Sequence, residues 1–318
     1  MAFGTTLGSV PAPTGGWRAA RYDAPVAVAE ELDAEGLRAI VSTFRDAVQA
    51  HQAGINRLNV YPVPDGDTGT NMARTLDAVV GEVNGAPGDL AATCRAIAHG
   101  SLMGARGNSG VILSQILRGF VGVLERLGGS QPLTGVRVAE ALEAASEAAY
   151  RAVLKPIEGT ILTVTKKASV GARRAADRGG RLVEVLREAR SAGREALADT
   201  PNQLPVLKEA GVVDAGGAGF LLLLDAALHV VAGEPVPEPE VVDGPTLDQF
   251  EHVAHRGDDD VSDLRYEVMY FLDLVDDRID DFKQRWGAIG DSIVVVGGDG
   301  LWNCHVHTND IGAAIEVA

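Results

Sequence analysis

Residues 59–74 read Asn-Val-Tyr-Pro-Val-Pro-Asp-Gly-Asp-Thr-Gly-Thr-Asn-Met-Ala-Arg. Pro62, Val63 and Pro64 bar helix on the approach, because proline fixes its own φ and restrains the residue before it. Asp65 and Asp67 flank Gly66, so two carboxylates sit two residues apart on a turn, with no basic residue adjoining either. From Asn71 onward the pattern can be helix. A stiff loop that aims carboxylates and then enters a helix suits a metal and a phosphate: Mg²⁺ takes hard oxygen ligands and shares its remaining positions with water and substrate phosphates, and the helix entry offers free backbone N–H groups. A solvated Asp-Gly turn is the other reading of the same residues. A calcium loop is excluded, because Gly69, Thr70 and Leu76 stand where an EF-hand needs an oxygen ligand, a glycine and a glutamate.

Working outward, apolar residues recur at helical spacing, as in Leu37, Ile40, Val41, Phe44, Ala47 and Val48 within 34–54. Further helices are predicted over 70–83, 88–103, 109–127, 135–154, 156–173, 180–197, 201–209 and 216–232. No strand pattern precedes residue 262, so residues 31–232 form an all-α domain. Residues 1–30 are rich in Gly, Pro, Thr and Ala and read as a mobile tail. Residues 233–262 carry a proline-acid run and Asp258–Asp260, and read as a linker. Residues 263–318 order strand, helix, strand, strand and a starting helix, an α/β or α+β unit that stops at Ala318 as an incomplete domain.

With 318 residues the chain can build two domains. A net charge of −16 argues against nucleic acid and anionic membranes as partners. The two cysteines, Cys94 and Cys304, lie far apart and point to a reducing compartment. No signal pattern begins the chain and no run looks long enough to span a bilayer, so a cytoplasmic location is expected.

Three more glycine-bearing breaks lie between helices. Residues 104–110 read Gly-Ala-Arg-Gly-Asn-Ser-Gly. Asn108 and Ser109 can donate to phosphate oxygens there, or cap the next helix. Residues 211–219 read Gly-Val-Val-Asp-Ala-Gly-Gly-Ala-Gly, with Asp214 either a cap or a ligand group. Residues 155–160, Lys-Pro-Ile-Glu-Gly-Thr, form a helix-to-helix turn in which Thr160 is a cap and a candidate cofactor-binding residue. Helix ends gathered on one rim of a bundle would make a polyphosphate pocket. Near the end, His305 and His307 are two apart on a predicted strand, so both leave the same face. They are half of a Zn²⁺ site, with Glu267 as a candidate third ligand and Cys304 on the opposite face; a pair of surface histidines is the alternative.

Asn59–Met72, Gly104–Gln115 and Gly211–Gly219, in this order, resemble the nucleotide-binding domain of dihydroxyacetone kinases, and more closely the catalytic component of bacterial fatty acid kinases. The resemblance covers about residues 32–318. It implies an antiparallel barrel of eight helices with ATP at one end, and Mg²⁺ held by Asp65 and Asp67. In the dihydroxyacetone kinases a third carboxylate precedes these two; Asn59 stands nearest that position here. By the same analogy Thr68, Thr70 and Asn71 lie beside the phosphates. Gly107, Asn108, Ser109 and Gly110 correspond to the second phosphate loop, and Asp214, Ala215 and Gly216 to the turn nearest the nucleotide. The family's middle domain has a zinc-like site of one cysteine and a His-x-His strand; His305 and His307 match the strand, and Glu267 stands where the cysteine would align.

The implied reaction transfers the ATP γ-phosphoryl to the carboxylate of a fatty acid carried by a separate fatty-acid-binding protein, giving an acyl phosphate. The resemblance further implies a homodimer formed through the middle domain, and a C-terminal domain that this chain lacks. A kinase of a small ketose or polyol, and a Mg-nucleotide-binding regulator without turnover, are the rival readings.

Overall fold

The computed structural model of the protein describes residues 29–126, 133–239 and 264–318. Helices α1 (Ala34–Arg57), α2 (Thr68–Gly85), α3 (Leu90–Gly104), α4 (Gly107–Arg126), α5 (Gly135–Ala152), α6 (Ile161–Asp177), α7 (Leu182–Gln203), α8 (Pro205–Ala210) and α9 (Ala215–Ala232) come first. Each long helix buries one stripe, as α1 does with Leu37, Ile40, Val41, Phe44, Ala47 and Val48. Starts are fixed by caps: Asp33 accepts from Gly36 N at 2.9 Å, and Asp89 from Ala92 N at 2.8 Å.

The long helices pack in sequence, α1 on α2, α2 on α3 and so on to α6 on α7; α9 then packs on both α7 and α1. The ring therefore closes, and its eight long helices give the barrel expected from the sequence, with the six-residue α8 inserted between α7 and α9. Short connections make neighbours antiparallel. Alternate helices consequently begin on the same rim.

Some boundaries differ from the sequence reading. The helix expected from residue 156 begins at Ile161, because Pro156 and Gly159 hold the preceding turn open. The break expected before 201 falls at Leu204, since α7 runs through Pro201. Proline there leaves the Leu197 carbonyl without its usual N–H, and Thr200 Oγ1 donates to that carbonyl at 2.7 Å instead. The expectation that no run could span a bilayer also needs correction. The 18 residues of α9 are long and apolar enough, yet most of this helix is buried among α1, α2, α6 and α7. A helix apolar on all sides is what the middle of a ring of helices requires.

The tail predicted for 1–30 falls outside the described residues up to 28; Ala29 N already bonds to Val231 O at 2.9 Å, and Leu32 pairs with Leu133. Of the predicted linker, residues 240–262 lie outside the described residues. Residues 233–239 run along the ring, where Glu234 pairs with Arg187 and Arg190 at 2.7 Å each.

The last segment is an antiparallel sheet ordered β1-β3-β2, from β1 (Tyr266–Asp273), β2 (Gly290–Gly298) and β3 (Leu301–Thr308). Helices α10 (Ile279–Trp286) and α11 (Ile311–Glu316) cover one face, with Trp286, Phe282, Cys304 and Val306 in the core between. This is the α+β form of the predicted unit. The other face packs on the helical ring: Met269, Val294 and Val296 meet Leu102, Ala105, Val111 and Ala152. Polar contacts pin the seam. Asn303 Nδ2 donates to Leu102 O at 3.1 Å, and Arg118 Nη1 to Gly297 O at 3.2 Å.

Candidate functional site

One pocket lies between the rim of the ring and the sheet. Its ring side is lined by Thr68, Asn71, Gly107, Asn108, Ser109, Thr160, Ile161, Asp214 and Gly216. These are the first turns, or the caps, of α2, α4, α6 and α9. Four helix N-termini thus face one cavity, as closing an antiparallel ring demands. Each presents unpaired backbone N–H groups and the positive end of its macrodipole, a setting that favours anions.

Into this positive rim the Asp65–Gly66–Asp67 turn projects two carboxylates. Asn59, itself buried, donates from Nδ2 to Asp65 Oδ1 at 3.0 Å and to Val63 O at 2.7 Å, while Thr68 Oγ1 donates to its Oδ1. Asn59 thus serves the loop as the residue that orients Asp65, a role its position in the sequence does not disclose. Burial, and then the neighbouring Asp67 and Glu267 carboxylates, push Asp65 well above the usual carboxylate range. Burial likewise raises Asp214 to about 6, against the backbone N–H groups of Gly217 and Ile161, which pull it down. Asp214 Oδ2 accepts from Gly217 N at 2.7 Å and caps α9. Gly107, at φ +56°, lets the second loop turn against α2, where a Cβ would lie 2.3 Å from Asn71 Nδ2. Asn108 buries its Oδ1 without a partner.

The sheet supplies the opposite wall. Glu267, His305 and His307 all line the same pocket as Asp65 and Asp67. The sequence presents them as two separate sites; the packing of the sheet on the ring makes them one. His305 is fully buried. Its Nδ1 lies 3.2 Å from Glu267 Oε1, off the line of a hydrogen bond, and its Nε2 meets no partner. That neighbouring ring holds Glu267 below its ordinary range. Burial, then His305, lowers His307 to about 4.

Three expected site residues fall elsewhere. Thr70 turns to α1, accepting from Gln52 Nε2 and Asn56 Nδ2 at 3.0 Å each. Gly110 packs on α2, where a Cβ would lie 2.4 Å from Thr75 Oγ1. Ala215 is buried outside the lining. A helix turns 100° per residue, so a contiguous motif cannot send every side chain to one ligand. Conversely, the pocket includes residues the sequence does not single out for it: Lys155, Leu154 and Ile157 before α6, and Asp291, Ser292, Ile293 and Val294 on β2. The β2 residues arrive through tertiary packing, and nothing local marks them.

The donor sets discriminate between metals. Zn²⁺ sites need three or four protein ligands, and among the described residues no group of three or more His, Cys, Asp or Glu is arranged to hold an ion. Cys304 lies in the core on the other face of the sheet. The zinc reading of Glu267, His305 and His307 is therefore not carried forward. Mg²⁺ needs only one or two carboxylates beside phosphate oxygens. Asp65 and Asp67 fit that demand, two crowded carboxylates with no Lys or Arg ion pair among the described residues.

Fold and rim define a helical-ring protein with an anion-seeking, carboxylate-bearing pocket closed by a small sheet domain. Residues 62–229 match the DAK2 domain, and residues 263–318 match the FakA-like middle domain of fatty acid kinases. The first match spans more than half of the chain, and the chain belongs to the DAK2-domain family. Protein YloV of Bacillus subtilis is 35% identical over 298 residues, which are 90% of this chain and 53% of that protein. An uncharacterized protein of Staphylococcus epidermidis is 39% identical over 266 residues, 81% of this chain and 48% of its own. The chain thus spans about half the length of the curated relatives it matches. The crystal structure of the dihydroxyacetone kinase from C. freundii in complex with AMP-PNP and Mg²⁺ is similar at a TM-score of 0.45 and 20% identity, over 69% of this chain and 37% of that one.

Proposed function

We propose that this chain is the nucleotide-binding part of a kinase that transfers the γ-phosphoryl of ATP to a carboxylate. The observation that carries the reading is the convergence of four helix N-termini and an unneutralised Asp65–Asp67 pair on one pocket. Anion-seeking backbone and cation-seeking carboxylates in one cavity suit a polyphosphate that arrives with its metal. Asp65 and Asp67 would hold Mg²⁺, which neutralises phosphate charge.

The chain's own residues supply position. The N–H groups at the starts of α2 and α4 face the phosphates, with Asn108 and Ser109 as side-chain donors. Asp214 holds the start of α9 in place, and Ile112, Ile157, Ile161 and Leu162 offer an apolar surface for a base. Phosphoryl transfer depends mainly on such placement and charge neutralisation. A carboxylate acceptor is already ionised at neutral pH and needs no general base. The match of residues 263–318 to a fatty acid kinase middle domain supports a fatty acid as that acceptor, delivered by a separate fatty-acid-binding protein. The products are then ADP and an acyl phosphate.

Calorimetric titration of AMP-PNP with Mg²⁺ tests the reading. Binding that needs Mg²⁺ and weakens by about tenfold or more in both Asp65→Ala and Asp67→Ala is expected. A folded parent that binds no nucleotide would refute it.

A further inference from the structure

The Lys-Pro-Ile-Glu-Gly-Thr turn at 155–160 is built with more care than a connection between α5 and α6 requires. Glu158 is held by Tyr150, whose hydroxyl donates to its Oε1 at 3.0 Å, and by Thr163 Oγ1, which donates to its Oε2 at 2.5 Å. Gly159 N donates to the same Thr163 hydroxyl at 2.8 Å. Thr160 closes the turn as the cap of α6. On the other side Val153 pairs with Val294, and Leu154 N donates to Ile293 O at 3.3 Å, so the strand before the turn is stitched to the sheet domain. Both ends being fixed, the backbone of Lys155 is held at the pocket.

Lys155 is also the only Lys or Arg among the described residues that line the pocket, against the carboxylates of Asp65, Asp67, Asp214, Glu267 and Asp291. Its Nζ meets Asp291 Oδ2 at 2.9 Å, and its side chain remains 63% exposed. An exposed pair of this kind contributes little to stability and exchanges partners readily. Asp291 has another partner, the backbone N–H of Ser292 at 2.7 Å, and so is not left bare if the lysine leaves.

We propose that Lys155 leaves Asp291 to contact the γ-phosphoryl oxygens of the bound nucleotide, as the one cationic side chain this pocket offers to the transferred group. The inference rests on the kinase reading. A lysine donates as a mobile point charge, which suits a group that moves between donor and acceptor.

The test is calorimetry of this chain with AMP-PNP and, separately, ADP, both with Mg²⁺. It compares the parent with Lys155→Met, Lys155→Arg and Asp291→Asn. Lys155→Met is expected to weaken AMP-PNP by about tenfold while leaving ADP unchanged, so that preference for the γ-phosphate disappears. Lys155→Arg should keep most of that preference, and Asp291→Asn should bind AMP-PNP more tightly because the lysine is released. Equal weakening of ADP and AMP-PNP in Lys155→Met, or unchanged AMP-PNP binding, overturns the proposal. A loss in Asp291→Asn matching that of Lys155→Met does so too, since the pair would then act only as a tie between domains. A parent that binds neither nucleotide refutes the kinase reading itself, which separates the two failures.

Discussion

Asn59 donates to Asp65 Oδ1 at 3.0 Å, and with the same amide to the Val63 carbonyl at 2.7 Å. A neutral donor at the foot of the loop thus fixes one of the two carboxylates without cancelling its charge. Asn59→Asp would exchange that donor for a third buried carboxylate and leave Val63 O unsatisfied. The metal-free variant is expected to lose about 2–4 kcal/mol of stability, and Mg²⁺ should restore part of it. Urea unfolding with and without Mg²⁺ checks this; equal stability of parent and variant in the absence of metal would contradict the role given to Asn59.

Asp214 ties stability to pH. Its pKa stands near 6 in the folded protein against an ordinary value of 3.8. A pKa raised on folding favours the folded state while the proton is on. That contribution is full below pH 3.8 and is lost as pH rises through 6. Ionised Asp214 therefore costs up to about 3 kcal/mol at neutral pH. Asn caps helices as well as Asp does, so Asp214→Asn should be more stable than the parent at pH 7 by about 1–3 kcal/mol. The gap should close by pH 4. Unfolding curves at several pH values measure the difference, and a gap independent of pH would count against the argument.

Asp225 lies 3% exposed on α9, where Oδ1 accepts from Arg194 at 2.9 Å and from Arg190 at 3.2 Å, both on α7. It is a polar clasp on the most apolar helix of the ring. Removing the carboxylate leaves the half-buried Arg190 short of a partner. Asp225→Ala is expected to cost about 3 kcal/mol, read as a lowered unfolding midpoint. The loss should be smaller for Asp225→Asn, which keeps an acceptor.

Two glycines of α2 should respond in opposite directions to alanine. A Cβ on Gly69 would lie 2.5 Å from the Gln52 carbonyl oxygen of α1, whereas one on Gly81 meets nothing within 4 Å. Gly81→Ala should gain about 0.5–1 kcal/mol from helix propensity. Gly69→Ala must push α1 away from the loop and should lose about 1–3 kcal/mol. Thermal unfolding of the two variants side by side decides it.

The helical ring is legible in the sequence because its apolar stripes repeat at helical spacing over long segments, and caps such as Asp33 and Asp214 mark the starts. The loop at Asp65 and Asp67 is legible from chemistry: prolines, then carboxylates, then a helix entry. What stays hidden depends on contacts distant in sequence. Nothing near Asp291 shows that β2 will wall a pocket, and nothing near His305 shows that it will share a cavity with Asp65. Thr70 and Gly110 mislead for the opposite reason, since they belong to the right motifs but sit on the wrong side of their helices. Lys155 reads as part of a connection because the residues that fix its turn, Tyr150 and Thr163, lie on the two helices it joins.

The closure of the ring by α9 sets an order on how this protein comes into being. One flank of α1 is covered by α9, so during synthesis that flank stays bare until the chain has grown from Arg57 past Ala215, on the order of ten seconds or more at ordinary elongation rates. Asp214 and Gly216 reach the pocket only at that moment. A nascent chain halted before α9 would carry the Asp65–Asp67 loop but no cavity for it to serve, with an apolar groove open to chaperones or to other chains.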